Sequence, residues 1–276
     1  IEGLGLEYRE DAVGNVYGRL PGKQPGTVLT GSHLDTVKDG GKYDGALGVV
    51  AGVAALGYLK QSGFVPNYSL EVVGLMEEEG SRFASSCQGS CAICGTLREE
   101  DMQEVGHDGV TLREALLAAG YQPEALSSAR RDDIRAVVEL HIEQGPVLEA
   151  EKKQIGIVDG IVGIANYELS IQGSQNHAGT TSMALRHDPV VAAAEFITES
   201  TRQIMKQSAS ATLTYGKVQA FPGMQNVIAD RAEMLIDMRD GSEEALAQDE
   251  QLLKRVLKTI KNKGFQTQLK QTQWSK

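Results

Sequence analysis

Four short strings hold the residues that could do chemistry: His33-Leu34-Asp35, Asp44-Gly45, Glu77-Glu78-Glu79-Gly80, and His141 inside Glu139-Leu140-His141-Ile142-Glu143-Gln144-Gly145. Imidazole nitrogens and carboxylate oxygens are the donors that hard-to-borderline divalent metals prefer. Asp35 lies two residues after His33, so on an extended segment both point to one side, and Asp35 can orient the imidazole through its second nitrogen. Asp44 offers two oxygens and could bridge two cations. Glu78 and Glu79 are adjacent and cannot both point the same way from a strand. One can bind metal while the other stays free as a general base. Two cations about 3.5 to 4 Å apart lower the pKa of a shared water and clamp a tetrahedral intermediate. His-x-Asp alone, or the acidic run alone, is more often a satisfied pair or a solvated face. The ordered set reads as a metallohydrolase centre.

A competing pattern is Cys87-x3-Cys91-x2-Cys94, the spacing of a radical-SAM [4Fe–4S] motif. That motif usually carries an aromatic before its last Cys, where this chain has Ile93. The preferred reading is a helix in which free Cys acts as a small buried hydrophobe. His107 and His187 have no chemical context and read as surface residues.

These residues sit at the ends of apolar runs. In the first half, residues 27–32 and 69–76 read as buried strands, 136–141 as a third strand, and 112–119 as a short helix stopped by Gly120. Residues 45–59 are small and apolar throughout and read as a helix packed closely on a sheet. Alternating strands and helices predict a largely parallel sheet, whose strand ends hold the ligand site. In the second half, Asp188 caps a helix that opens with Pro189 and runs to about Gln207. Residues 166–172, 211–218, 231–239 and 265–269 read as strands, with Ala232, Met234, Ile236 and Met238 on one face. Ser242 caps a helix burying Leu246, Leu253, Leu257 and Ile260, and Gly264 ends it. The order β-α-β-β-α-β is the split, ferredoxin-like unit. The expected division is residues 1–160 and 161–276.

The chain has 276 residues, with 37 acidic against 27 basic and a net charge of -10. That balance argues against nucleic-acid and anionic-membrane partners, which need a basic surface. No apolar run approaches a membrane span of roughly 20 residues. Three cysteines do not make a disulfide framework and fit a reducing cytoplasm. The chain opens on Ile1 and ends just after an apparent strand, so it is expected to be a piece of a longer polypeptide.

At these residues the chain resembles the M20 metallopeptidase superfamily, and more closely its amidase branch of allantoate amidohydrolase, N-carbamoyl-L-amino-acid hydrolase and β-ureidopropionase. The matching strings are Gly31-Ser32-His33-Leu34-Asp35-Thr36-Val37, Gly41-Lys42-Tyr43-Asp44-Gly45, Glu77-Glu78-Glu79-Gly80-Ser81-Arg82-Phe83, Glu139 to Gly145, Asn176-His177-Ala178-Gly179-Thr180-Thr181 and Asn226-Val227-Ile228. The resemblance implies an α/β metallopeptidase-like catalytic domain plus a ferredoxin-like βαββαβ lid that forms a homodimer. It implies two divalent ions (Zn, Mn, Co or Ni) held by His33, Asp44, Glu79 and His141, with Asp44 bridging. It implies Glu78 as general base, Asp35 in support, and His177 reaching the neighbouring subunit's site to stabilise an oxyanion. Asn226 and Arg239 would hold a substrate carboxylate, which a guanidinium also suits as a bidentate fork. Gln144 would contact substrate or the ligand shell. The implied reaction is hydrolysis of a linear ureido or amide C–N bond of an N-carbamoyl amino acid or allantoate-like substrate by a metal-bridging hydroxide. The alternatives are an M20 dipeptidase or aminoacylase, or a truncated, non-catalytic dimerising chain. The family's last metal ligand, a His in a Gly-His-Asp context, has no counterpart, since His187 is the final histidine. Ser182 stands where the family usually has Pro.

Overall fold

In the computed structural model, residues 1–275 are described. The chain divides into two compact units, Ile1–Gln154 and Ile155–Lys276.

The first unit contains β1 (Glu7–Glu10), β2 (Val16–Leu20), β3 (Gln24–His33), α1 (Ala46–Gln61), β4 (Tyr68–Leu75), α2 (Gln88–Cys94), α3 (Leu112–Ala118), β5 (Ile134–Val138) and a single turn, α4 (Val147–Ala150). Its sheet has the order β1-β2-β4-β3-β5. β3 runs parallel to both β4 and β5, as expected. The predicted, largely parallel sheet is corrected by β1 and β2, which pair antiparallel with each other, and β2 is antiparallel to β4. The link between β1 and β2 is too short for a parallel crossover, which takes a dozen or more residues.

α1 buries Gly48, Gly52, Leu56 and Gly57. A side chain at Gly48 would collide with Ser32 and the Leu140 carbonyl, so small residues let the helix lie close on β3. A second cluster holds Val13, Phe83, Ala92, Met102, Leu112 and Leu116. There α3 begins with a capping box in which Thr111 and Glu114 satisfy each other's backbone amides. Glu71, wholly buried within β4, is satisfied by the guanidinium of Arg131 at 2.8 Å and by Arg9 at 3.3 Å.

The second unit contains β6 (Gly163–Gln172), β7 (Asn176–His177), α5 (Pro189–Gln207), β8 (Thr212–Phe221), β9 (Val227–Ile228), β10 (Arg231–Asp240), α6 (Glu243–Asn262) and β11 (Gln266–Ser275). The four long strands form an antiparallel sheet, β11-β6-β10-β8. This is the expected ferredoxin-like order, with the short β7–β9 ribbon added. Alternation decides the buried face. Tyr167, Leu169 and Ile171 of β6 and Ala232, Met234, Ile236 and Met238 of β10 join Phe196 and Ile204 of α5 and Leu246, Leu253, Leu257 and Ile260 of α6. Asp188 and Ser242 cap their helices through side-chain oxygens, and Gly264 follows α6 at φ 95°. No helix among the described residues is long and apolar enough to cross a membrane.

Candidate metal centre

Parallel pairing brings the carboxyl ends of β3, β4 and β5 to one edge of the sheet. His33 is the last residue of β3, the Glu77–Glu79 run follows β4, and His141 lies three residues beyond β5, whereas the apolar run 136–141 predicts strand up to it. Asp44 enters from the turn before α1. Gly45, at φ 62°, allows that approach, because a Cβ there would lie 2.4 Å from His33 Nδ1.

Two groups of side chains converge: His33, Asp44 and His141, and His33, Glu78 and Glu79. His33 Nε2 lies 3.6 Å from Asp44 Oδ1, and His141 Nε2 lies 3.2 Å from the same oxygen. The two Nε2 atoms are 3.5 Å apart. Glu78 Oε2 is 3.9 Å from His33 Nε2. The groups share His33, so the described residues form one overlapping cluster rather than two separate ligand sets.

The donor set passes a physical test for a cation. His33 Nδ1 faces the Asp35 carbonyl at 2.8 Å, and His141 Nδ1 faces the Ile142 carbonyl at 2.9 Å. Carbonyls only accept, so in the neutral rings both protons sit on Nδ1 and both Nε2 lone pairs face inward. They face Asp44 Oδ1, a buried oxygen with no hydrogen-bond partner. Three lone-pair donors directed at one another, none bearing a proton, fit a divalent cation. Burial, with the charges of Asp44 and Glu78, holds the Glu79 carboxyl above its usual range.

Asp35 takes a different position from the one read in the sequence. Its carboxylate is 3.8 Å from His33 Nδ1, beyond hydrogen-bond range, and its backbone carbonyl makes the contact instead. The carboxylate oxygens accept the amides of Glu78 and Glu79, each at 3.0 Å. Asp35 therefore ties the acidic loop to the end of β3. Gln144 donates its side-chain amide to Asp44 Oδ2 at 2.7 Å.

In the second unit, His177 and Asn226 meet at the β7–β9 ribbon, where the Ala178 amide donates to the Asn226 carbonyl at 3.0 Å. His177 Nδ1 accepts the amides of Gly179 and Thr180, which places its proton on Nε2, and the residue is exposed. Arg239 lies apart from them. It is eight residues, about 26 Å, along β10 from Arg231, the strand end that adjoins the ribbon. Its guanidinium is held by Asp237 at 2.8 Å.

Sequence reasoning missed three supports. Glu77 has a left-handed backbone, φ 46°, and its carboxylate accepts the amides of Arg82 and Phe83. Buried Asn15 accepts the Met76 amide and donates to the Gly89 carbonyl. The Cys87 thiol lies 3.7 Å from Glu78 Oε1. Glu77 lies inside the acidic string, but nothing in that string marks its carboxylate as a loop support, and Asn15, just before β2, belongs to no motif. The iron–sulfur alternative finds no support: Cys87, Cys91 and Cys94 are free, and no converging ligand group among the described residues contains a thiol.

Residues 29–273 match the model of peptidase family M20/M25/M40. The chain is 44% identical over 251 residues to an allantoate amidohydrolase of Bacillus subtilis, covering 90% of this chain and 61% of that protein. It is 38% identical over 251 residues to an N-carbamoyl-L-amino-acid amidohydrolase of Paenarthrobacter aurescens, covering 89% and 61%. The chain thus spans about three fifths of these curated relatives. A hydantoinase/carbamoylase family amidase from Burkholderia ambifaria superposes with TM-score 0.91 at 33% identity, over 99% of this chain and 67% of that one.

Proposed function

The chain belongs to peptidase family M20/M25/M40, and from that premise we propose that it is the metal-binding and lid portion of a hydrolase cleaving a linear ureido C–N bond. The observation that carries the reading is the convergence of His33, His141 and Asp44 on one point, with Glu78 beside it. The substrate class we propose is a small N-carbamoyl amino acid or allantoate-like ureide bearing a carboxylate, in line with the relatives' names.

His33, Asp44 and His141 would hold one divalent ion, and Glu79 a second. Zn, Mn, Co and Ni all suit these donors. Such ions, when bound, polarise a carbonyl and acidify water. Glu78 takes a proton from the attacking water as its oxygen adds to the ureido carbonyl carbon. The carbonyl π electrons move onto oxygen, and His177 Nε2–H, supplied by the lid of a second copy, donates to that developing charge. As the C–N bond breaks, Glu78 returns the proton to the leaving nitrogen. The carbamate product decays to ammonia and carbon dioxide. Asn226 and Arg239 would hold the substrate carboxylate. The distance along β10 between Arg239 and the strand end beside the ribbon that Asn226 adjoins favours contributions from two copies of the lid, consistent with a homodimer. Three free thiols favour a reducing cytoplasm.

The test is ammonia release from N-carbamoyl-L-amino acids and allantoate by Mn2+-reloaded protein. Glu78→Gln should lower turnover by about a thousandfold or more with metal still bound. Activity surviving within about tenfold would remove Glu78 from the role of base. Release of free amino acid from dipeptides or N-acyl amino acids without ammonia would place the chain among the family's peptidases and aminoacylases instead.

A further inference from the structure

The contact between Gln144 and Asp44 has a bearing on how many ions this centre holds, and the inference rests on the metal-centre reading above. A carboxylate bridges two cations by giving one oxygen to each. Asp44 Oδ1 is buried, without a hydrogen-bond donor, and faces both imidazoles. Asp44 Oδ2 is already taken by the Gln144 amide at 2.7 Å. The two converging groups agree with this division, since Asp44 belongs to the one with His141 and not to the one with Glu78 and Glu79.

Gln144 does not reach Asp44 by chance of rotamer alone. Its backbone is left-handed, φ 54°, a conformation that few side-chain-bearing residues adopt without support from their surroundings. The surroundings are visible. The neighbouring Glu143 turns its carboxylate onto the amides of Val147 and Leu148 at 3.0 to 3.1 Å, pinning the segment between β5 and α4. The pinned loop projects Gln144 toward Asp44, from 100 residues away in the chain.

We propose that Gln144 is a gate on metal occupancy. Its amide holds Asp44 in a one-cation arrangement, and a second cation joins only when that amide leaves Oδ2. Binding of the second ion is therefore weakened by the hydrogen bond it must displace. A hydrogen bond to a charged group is strong enough to account for about a tenfold loss in affinity.

The experiment is calorimetric titration of the metal-free 276-residue protein with Mn2+, with electron paramagnetic resonance reading the spin-coupled pair formed when two ions share a bridge. Two variants remove the contact without straining the loop. Gln144→Gly suits a left-handed backbone, and Gln144→Asn tolerates it while being one methylene too short. In both, the first ion should bind within about threefold of wild type. The second step should tighten by about tenfold, with the coupled signal at correspondingly lower Mn2+. A second step that is unchanged, weaker or absent in both variants overturns the gate. A first step weakened by about tenfold or more also overturns it, making Gln144 a support for the first ion. Absence of any Mn2+ binding overturns the metal-centre reading and the gate together, whereas loss of the gate alone leaves that reading standing.

Discussion

The two units solve the burial problem to different degrees. The second closes its core: one sheet face, α5 and α6 enclose residues such as Phe196, Leu253 and Ile260, each no more than 0% exposed. The first leaves apolar surface open. α1 is apolar nearly all round, yet only its glycine-rich side is covered, and Val50 and Tyr58 stand 65% and 73% exposed. β5, a parallel strand at the sheet edge, exposes Val137 and Val138 on both its faces at 63% and 61%. Parallel strands are normally paired and covered on both sides. The second unit packs both its helices onto one buried sheet core and leaves side chains such as Val218 and Leu235 exposed, whereas the unit holding the candidate metal cluster leaves open a helix face and an edge strand. His141, beyond the open strand, is 30% exposed, against 4% for His33 on the interior strand.

Deep truncation in the closed core should show the largest effect. Phe196→Ala should cost about 3 to 5 kcal/mol. It should lower only one of two unfolding transitions in calorimetry, the one that an isolated 155–276 fragment also shows. A single shared transition shifted as a whole would break the contrast between the units.

A medium effect is expected at a buried acid pair that ties α5, β10 and α6 together. Asp240 accepts from Ser210 at 2.6 Å and Asp249 from Gln207 at 2.7 Å, while both Oδ2 atoms are buried without a donor. One shared proton satisfies both. Burial and the neighbouring Asp240 push the Asp249 carboxyl up to about 6. A raised acid pKa means the folded state holds the proton more tightly than the unfolded chain, so the stabilisation is present in acid and fades as pH rises from about 4 through about 6. Asp249→Asn, whose amide can donate in place of that proton, should raise stability by about 1 to 2 kcal/mol above pH 7 and change little near pH 4. Equal effects at both pH values would refute the shared proton.

The smallest effect sharpens the comparison from the other side. Val50→Ser on the open face of α1 should stay within about 0.5 kcal/mol in this chain, by denaturant unfolding. A cost like that of a core residue would mean the face is covered in solution.

Periodicity and caps made the second unit legible almost residue by residue. Asp188, Pro189, Ser242 and Gly264 mark helix ends by local chemistry, and alternation along β10 names the buried side chains. β1 and β2 carry no apolar signature because Glu7, Arg9 and Arg19 interrupt any apolar run; their arginines pair with buried Glu71, 62 residues after Arg9 and 52 after Arg19. The ligand types were legible as well, because few residues other than His, Asp and Glu can serve. Which atom each offers was not. That Asp35 uses its carbonyl on His33 and its carboxylate on the acidic loop depends on backbone trajectories past the strand ends. The same holds for Gln144, whose left-handed backbone leaves no mark in the sequence.

The central claim is that His33, Asp44 and His141 bind a divalent ion. Equilibrium dialysis against Zn2+ or Mn2+, followed by elemental analysis, tests it on the intact chain and on His33→Ala and His141→Ala. The account predicts at least about one ion per wild-type chain and a loss of about tenfold or more in affinity in each variant. No bound ion in the wild type, or undiminished binding in both variants, would contradict it.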